Sequence, residues 1–318
     1  MKNTSVSTPG AAKAAGPVRR RWRKTVQEGL LTLPSLGWLI VFFLIPTVIV
    51  ALIALRPYDH HVAMGIGQGW TLDSIRGVID KDYPMLVWRT VWVSVASAAI
   101  CIALAVPMAY TMARASQRMR AVVLMLTIVP FWTSFIIRIF AWMQVLHTDG
   151  LLKRTLVWLH LMTPDQTLMY NMGAVLLVMV YTSLPFAILP LYAAAEKFDF
   201  SLMDAAQDLG ASRFRSVCAT FLPGIRAGIL YATLMVLVPN LGCYVTSEVV
   251  GGTDCMLMGN RIKECAIDFR DLPHACALAL FLMLGILGSL FVLYLVVRLR
   301  GGREAVAEMA KTAAENVA

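Results

Sequence analysis

The chain has 318 residues, of which 58% are hydrophobic and only 15% charged, with a mean hydropathy of +0.69. A soluble domain is nearer half apolar and a quarter charged, so this balance excludes an ordinary water-soluble protein and places the chain in a bilayer. The net charge of +9 does not point to nucleic acid, because the basic residues are sorted by loop and not gathered on a binding motif.

The first segment, 1–30, is rich in Ala, Gly, Pro and Ser and then basic at Arg19, Arg20, Arg21, Arg23 and Lys24. It predicts a disordered cytoplasmic tail. The apolar run that follows, Leu33 to Leu55, is long enough to span, and no small-residue cleavage site succeeds it. It reads as a retained first span, not a signal peptide.

Five more runs follow: Leu86 to Ala113, Ala121 to Leu146, Gly173 to Leu191, Gly224 to Val250 and Ala275 to Val297. Each suits a helix crossing a core about 30 Å thick. The predicted fold class is therefore all-α, a polytopic membrane protein of six transmembrane helices over 31–300, closed by a cytoplasmic tail at 301–318. Prolines inside four of the runs, Pro107, Pro130, Pro185 with Pro190, and Pro239, predict kinks that neighbouring helices can tolerate. Orientation follows from Lys and Arg in the loops. With the N-terminus inside, the cytoplasmic segments hold eighteen basic residues and the outer loops eight, so both termini are expected in the cytoplasm.

One polar stretch, Asp199 to Pro223, interrupts the apolar runs on the cytoplasmic side. Ser201 and Asp204 have capping-box spacing, and Phe198, Leu202, Ala205, Ala206 and Leu209 form an apolar stripe at helical spacing. Gly210 suits a left-handed helix end, Ser212 a second N-cap, and Leu222-Pro223 a break before the next run.

These residues resemble the coupling loop of type I ABC importer permeases, the inner-membrane components of binding-protein-dependent uptake systems. Asp204-Ala205-Ala206, Gly210 and Leu222-Pro223 fall at the spacings of that motif, with Asp204 in place of Glu and Thr220 in place of Ile. The resemblance implies a knob that docks in a groove of an ATPase subunit. It further implies two ATPase copies, a second permease subunit completing the pore, and a periplasmic solute-binding protein, all at a bacterial inner membrane. A narrower resemblance begins at Pro130-Phe131-Trp132-Thr133-Ser134 and Ile137-Arg138-Ile139-Phe140-Ala141-Trp142. With Val238-Pro239, Gly242, Glu248, Gly251-Gly252 and Met258-Gly259, it looks like the putrescine and spermidine branch of those permeases, over about 84–298. It departs from that branch at Cys243, where an acid is common, and at Ser247, where proline is. The resemblance implies a polyamine or a related small organic solute as cargo.

A multivalent cation needs carboxylates or aromatic faces along its path. Trp132, Ser134, Arg138, Trp142, Tyr244 and Glu248 are the candidates for that path. Arg138 is the basic residue placed well inside a span; Trp142, one turn away, could take its guanidinium, and Glu248 or Asp254 could be its counter-charge. The sequence contains no GxxxxGK[ST] loop and no HExxH pair, and its six cysteines form no CxxC, so no cofactor, metal site or ATP hydrolysis is expected in this chain. A disulfide between Cys255 and Cys265 is conceivable in an outer loop, but free thiols are the expectation. The rival reading is a carrier driven by an ion gradient, which would need ionisable pairs buried near the midplane, and Arg138 alone answers that description. A membrane enzyme would need a clustered acid, base or metal set, and none is evident.

Overall fold

A computed structural model of the chain describes residues 33–80, 83–160, 163, 166–288, 291 and 295. The predicted tails, 1–30 and 301–318, lie outside these residues. The chain divides into two compact units, 1–53 and 54–318. The first holds all but the last residue of helix α1, Leu33–Ala54, a 22-residue apolar helix with a π turn over Ile40–Leu44. Apolar residues surround it on every side, as in a helix solvated by lipid.

The second unit is built from α2 (Asp73–Asp80), α3 (Tyr83–Arg114), α4 (Gln117–Ile128), α5 (Phe135–Leu146) and α6 (Leu151–Trp158), followed by α7 (Met172–Glu196). Then come α8 (Ser201–Asp208), α9 (Arg213–Gly224), α10 (Arg226–Leu241), α11 (Met258–Lys263) and α12 (Leu272–Gly288). Among the described residues there is no strand, only an isolated bridge between Tyr58 and Ile66. The all-α expectation holds.

Helices α3, α7 and α10 form the core. Small residues make their close approach possible: Ala98, Ala105 and Ala109 on α3, Ala187 and Ala195 on α7, Ala232 on α10. At Gly228 a Cβ would stand 2.4 Å from the Ala194 Cβ, so only glycine fits that crossing. One buried polar chain ties all three helices. Asn240 Nδ2 donates to Ser97 Oγ at 3.1 Å, and Ser183 Oγ donates to Asn240 Oδ1 at 3.0 Å. In lipid-like surroundings such a triad has no competing water, and each partner satisfies the next.

Among the described residues the six apolar runs are mostly helical, but they do not form six uninterrupted spans. Four helices among the described residues are long and apolar enough to cross: α1, α3, α7 and the Phe135–Trp158 stretch of α5 and α6. The third predicted run breaks. Pro130 lies in a 3-10 turn, Val129–Trp132, and Thr133 and Ser134 are extended before α5 begins. Pro130 lacks the N–H that would continue the α4 ladder, while Val129 before it keeps helical dihedrals. The fifth run begins at a 73° bend between α9 and α10 at Ile225, and it is interrupted where α10 stops at Leu241. Pro107, Pro185, Pro190 and Pro239, by contrast, lie inside continuous helices.

Candidate functional site

The polar stretch folds as two short helices joined at Gly210. Its C-terminal cap is a full Schellman motif: Gly210 has φ +90°, Gly210 N–H donates to Gln207 O at 2.9 Å, and Ala211 N–H donates to Ala206 O at 3.1 Å. Ser212 caps α9, its hydroxyl accepting from Arg215 N at 3.3 Å. The capping box predicted at Ser201 is not formed. Ser201 is already the first helical residue, and Asp199 Oδ1, two positions upstream, accepts its N–H at 3.0 Å. The Ser201 hydroxyl and N–H together hold the Asp199 carboxyl below its usual range. Its cap is therefore present above the ordinary carboxylate pKa and is lost only as pH falls through the depressed one.

The predicted apolar stripe also divides. Met203, not Leu202, faces inward and is 1% exposed. Phe198 packs beside it on the core, whereas Leu202, Ala205 and Leu209 point outward, with Leu209 90% exposed and Phe214 of α9 79% exposed. An inward face thus anchors the elbow, and an outward apolar face is left bare. Leu222 packs on the core, and Pro223 lies within the last turn of α9, so the break falls at Ile225, two residues after the predicted place. A π turn, Val217–Phe221, accommodates it: Leu222 N–H bonds Val217 O.

The same end of the bundle carries the loop between α3 and α4. Arg120 Nη1 pairs with Glu196 Oε1 at 2.7 Å, and Arg114 Nη1 donates to Tyr110 Oη at 2.8 Å. The segments read as cytoplasmic therefore meet. At the other end the segments read as outer meet: Tyr58 Oη with Phe269 O at 3.4 Å, Tyr83 Oη with His274 Nε2 at 2.7 Å, and Arg89 Nη1 with Asp254 O at 2.7 Å.

The candidate path residues lie on α5, on the break before it, and on 244–248. Trp132 is 81% exposed in the break, and Ser134 is the N-cap residue of α5, without a side-chain cap bond. Arg138 does not stack on Trp142. Its guanidinium carbon sits 4.7 Å from the Phe131 ring centroid and 5.9 Å from that of Phe135. Long helical side chains lean towards the helix N-terminus, so Arg138 reaches back over the preceding turn and away from Trp142. Trp142 instead meets Tyr181 of α7 edge-on at 5.1 Å. Arg138 Nε is buried without a hydrogen-bond partner among the described residues.

Glu248 is not the counter-charge of Arg138. Its Oε1 accepts from Lys263 Nζ at 3.2 Å, and the same ammonium reaches Asp268 Oδ2 at 3.2 Å. Glu248, Lys263, Glu264 and Asp268 line one cleft. Beneath it lies a hub that the sequence did not announce. Asn260, 4% exposed, accepts from Leu257 N at 3.1 Å and donates to Tyr244 O at 3.1 Å, and Ser247 Oγ stands 2.7 Å from its Oδ1. This hub ties 244–260 into a compact turn. Val249 and Val250 from that turn pack with Trp142 and Ile139 of α5, so both groups of candidates belong to adjoining surfaces. The six cysteines are free thiols, with Cys255 and Cys265 buried.

The family described as "Binding-protein-dependent transport system inner membrane component" matches residues 101–301. The spermidine/putrescine transport system permease protein PotB of Escherichia coli (strain K12) is 31% identical over 258 residues, covering 81% of this chain and 93% of the relative. PotB of Haemophilus influenzae is 32% identical over 260 residues, covering 81% and 90%. Among solved structures, a chain of a bacterial ABC transporter involved in the import of the acidic polysaccharide alginate superposes with a TM-score of 0.66 at 17% identity. That superposition covers 88% of this chain and 99% of the other, a likeness that establishes the fold alone.

Proposed function

This chain belongs to the family of binding-protein-dependent transport inner-membrane components, and from that premise we propose that it is one permease subunit of an ATP-driven polyamine importer. The observation that carries the cargo is its likeness to PotB over four-fifths of its length. The cleft chemistry agrees. Glu248, Glu264 and Asp268 place carboxylates where a cationic amine would arrive, and they offset the acid absent at Cys243. Lys263 pairs with Glu248 and Asp268, and Arg261 with Glu264, so an incoming ammonium is held by displacing these cations from carboxylates already arranged to bind them.

The elbow is the handle on the motor side. Asp204, Ala205, Ala206, Gly210, Leu222 and Pro223 shape it, and the bare apolar face of Leu202, Ala205 and Leu209 fits a groove on an ATPase subunit. Two such ATPases, a second permease and a periplasmic binding protein complete the machine. Trp132, Ser134, Arg138, Trp142, Tyr244 and Glu248 line or shape the route, in a bacterial inner membrane with both termini on the cytoplasmic side.

The test is uptake by the reconstituted complex in proteoliposomes, with labelled putrescine and spermidine, with and without ATP. ATP-dependent accumulation of either amine is expected. Accumulation that follows an imposed ion gradient in the absence of the ATPase would overturn the reading.

A further inference from the structure

Between α7 and α8 the chain places two rings, Phe198 and Phe200, three residues or fewer before the elbow helix. Phe221 of α9, fully buried, and Tyr110 of α3 meet them. Phe198 lies edge-on to Phe200 and to Phe221, each at 5.3 Å, and Tyr110 lies edge-on to Phe221 at 5.2 Å and to Phe200 at 6.0 Å. Phe200 and Phe221 stack at 6.1 Å. The far side of Phe200 is closed by Arg114, whose guanidinium carbon is 5.5 Å from the ring while its Nη1 bonds Tyr110 Oη. Phe198 is closed by Gly224: a Cβ there would stand 2.3 Å from Phe198 Cε2. Gly224 is the last residue before the 73° bend. The cluster therefore touches the elbow helix, the bent arm and the longest core helix at one point.

We propose that the Phe198–Phe200–Phe221–Tyr110 cluster, closed on Gly224, is the positioning joint that makes α8, α9 and α3 move as one body. Its members transmit displacement and do not contact the motor or the cargo. The physical ground is that a close-packed, edge-to-face cluster cannot shear without opening voids, so a displacement at α8 passes to α3 and to the bend without being absorbed. The inference rests on the reading of α8 as the handle.

The experiment uses the whole complex, the chain co-expressed with its companion permease and ATPase, in proteoliposomes with labelled spermidine. Three quantities are read: ATPase co-purified, ATP hydrolysed, and solute imported per ATP. Phe200→Ala is expected to retain the first two and to lower import per ATP about tenfold, the loss matching a weakened coupling near 1.4 kcal/mol. Phe200→Tyr, which keeps the ring, is expected to restore the ratio. Gly224→Ala, which drives Phe198 off its seat, is expected to behave as Phe200→Ala does. An unchanged ratio in both variants overturns the joint. So does loss of the assembled complex in both, since the cluster would then be packing alone. A separate arm, Leu209→Asp, tests the handle. If it leaves ATPase co-purification intact, the reading of α8 fails whatever the ring variants do.

Discussion

Arg138 shows how far a residue can be understood from its neighbours in sequence. A cation inside an apolar run was evident, and so was its cost. Its partner was not, because helical side chains lean backwards and the break at Pro130 swings Phe131 under the guanidinium. Two aromatic faces offset part of the desolvation, at about 0.5–2 kcal/mol each. Arg138→Ala should lower uptake at least about tenfold or reduce the assembled complex, read as labelled amine imported per unit of membrane-inserted protein. Full uptake would show the residue to be incidental. Asn240 is the opposite case. Its partners Ser97 and Ser183 are 143 and 57 positions away, so no local pattern could have found them. Asn240→Leu removes both bonds at once and leaves two hydroxyls to turn back on their own helices. A loss of about 1–3 kcal/mol is expected, read as a lower midpoint of thermal unfolding in detergent.

At the scale of elements, hydropathy located the long apolar helices and caps located α8 and α9, whereas the short loop helices α2, α6 and α11 were not foreseen, and breaks were harder. The elbow was legible because its signals are local: Gly210 at the C-terminal cap and Ser212 at the next N-cap fall where the sequence put them. Its facing was less so. The stripe Leu202, Ala205 and Leu209 is outward because Met203 and the two phenylalanines before it take the inward seat, and that competition depends on α3 and α9. The predicted break at Pro223 moved to Ile225 because a π turn absorbs the proline. Gly210→Val places a β-branched residue at φ +90°, at a cost of about 1–2 kcal/mol. Membrane insertion should be unchanged and ATPase co-purification reduced, and normal uptake with normal assembly would contradict this. Gly228→Val acts elsewhere. Its Cβ would meet Ala194 Cβ at 2.4 Å, so α7 and α10 must part and the folded fraction should fall.

For the whole molecule, loop charge and the elbow motif were independent arguments for one orientation, and the fold brings each set of loops to its own end of the second unit. Arg120 with Glu196 and Arg114 with Tyr110 close one end; Tyr83 with His274 and Arg89 with Asp254 close the other. The sequence marked Pro130 as a kink, but not that the third run would break outright there or that the fifth would stop at Leu241, since hydropathy averages over the few non-helical residues that break a helix. The orientation can be read with a residue the chain already owns. Cys218 lies exposed on α9 at the elbow end, Cys243 is half-buried, and the other four thiols are buried. A thiol must be accessible to react, and the bilayer excludes a charged reagent. In a Cys243→Ser background, a membrane-impermeant maleimide should therefore label inside-out vesicles and leave right-side-out vesicles unlabelled. Adding Cys218→Ser should abolish the signal. Labelling of right-side-out vesicles that depends on Cys218 would put the elbow on the outer face, where no ATPase could grip it, and both arguments for the orientation would fall together.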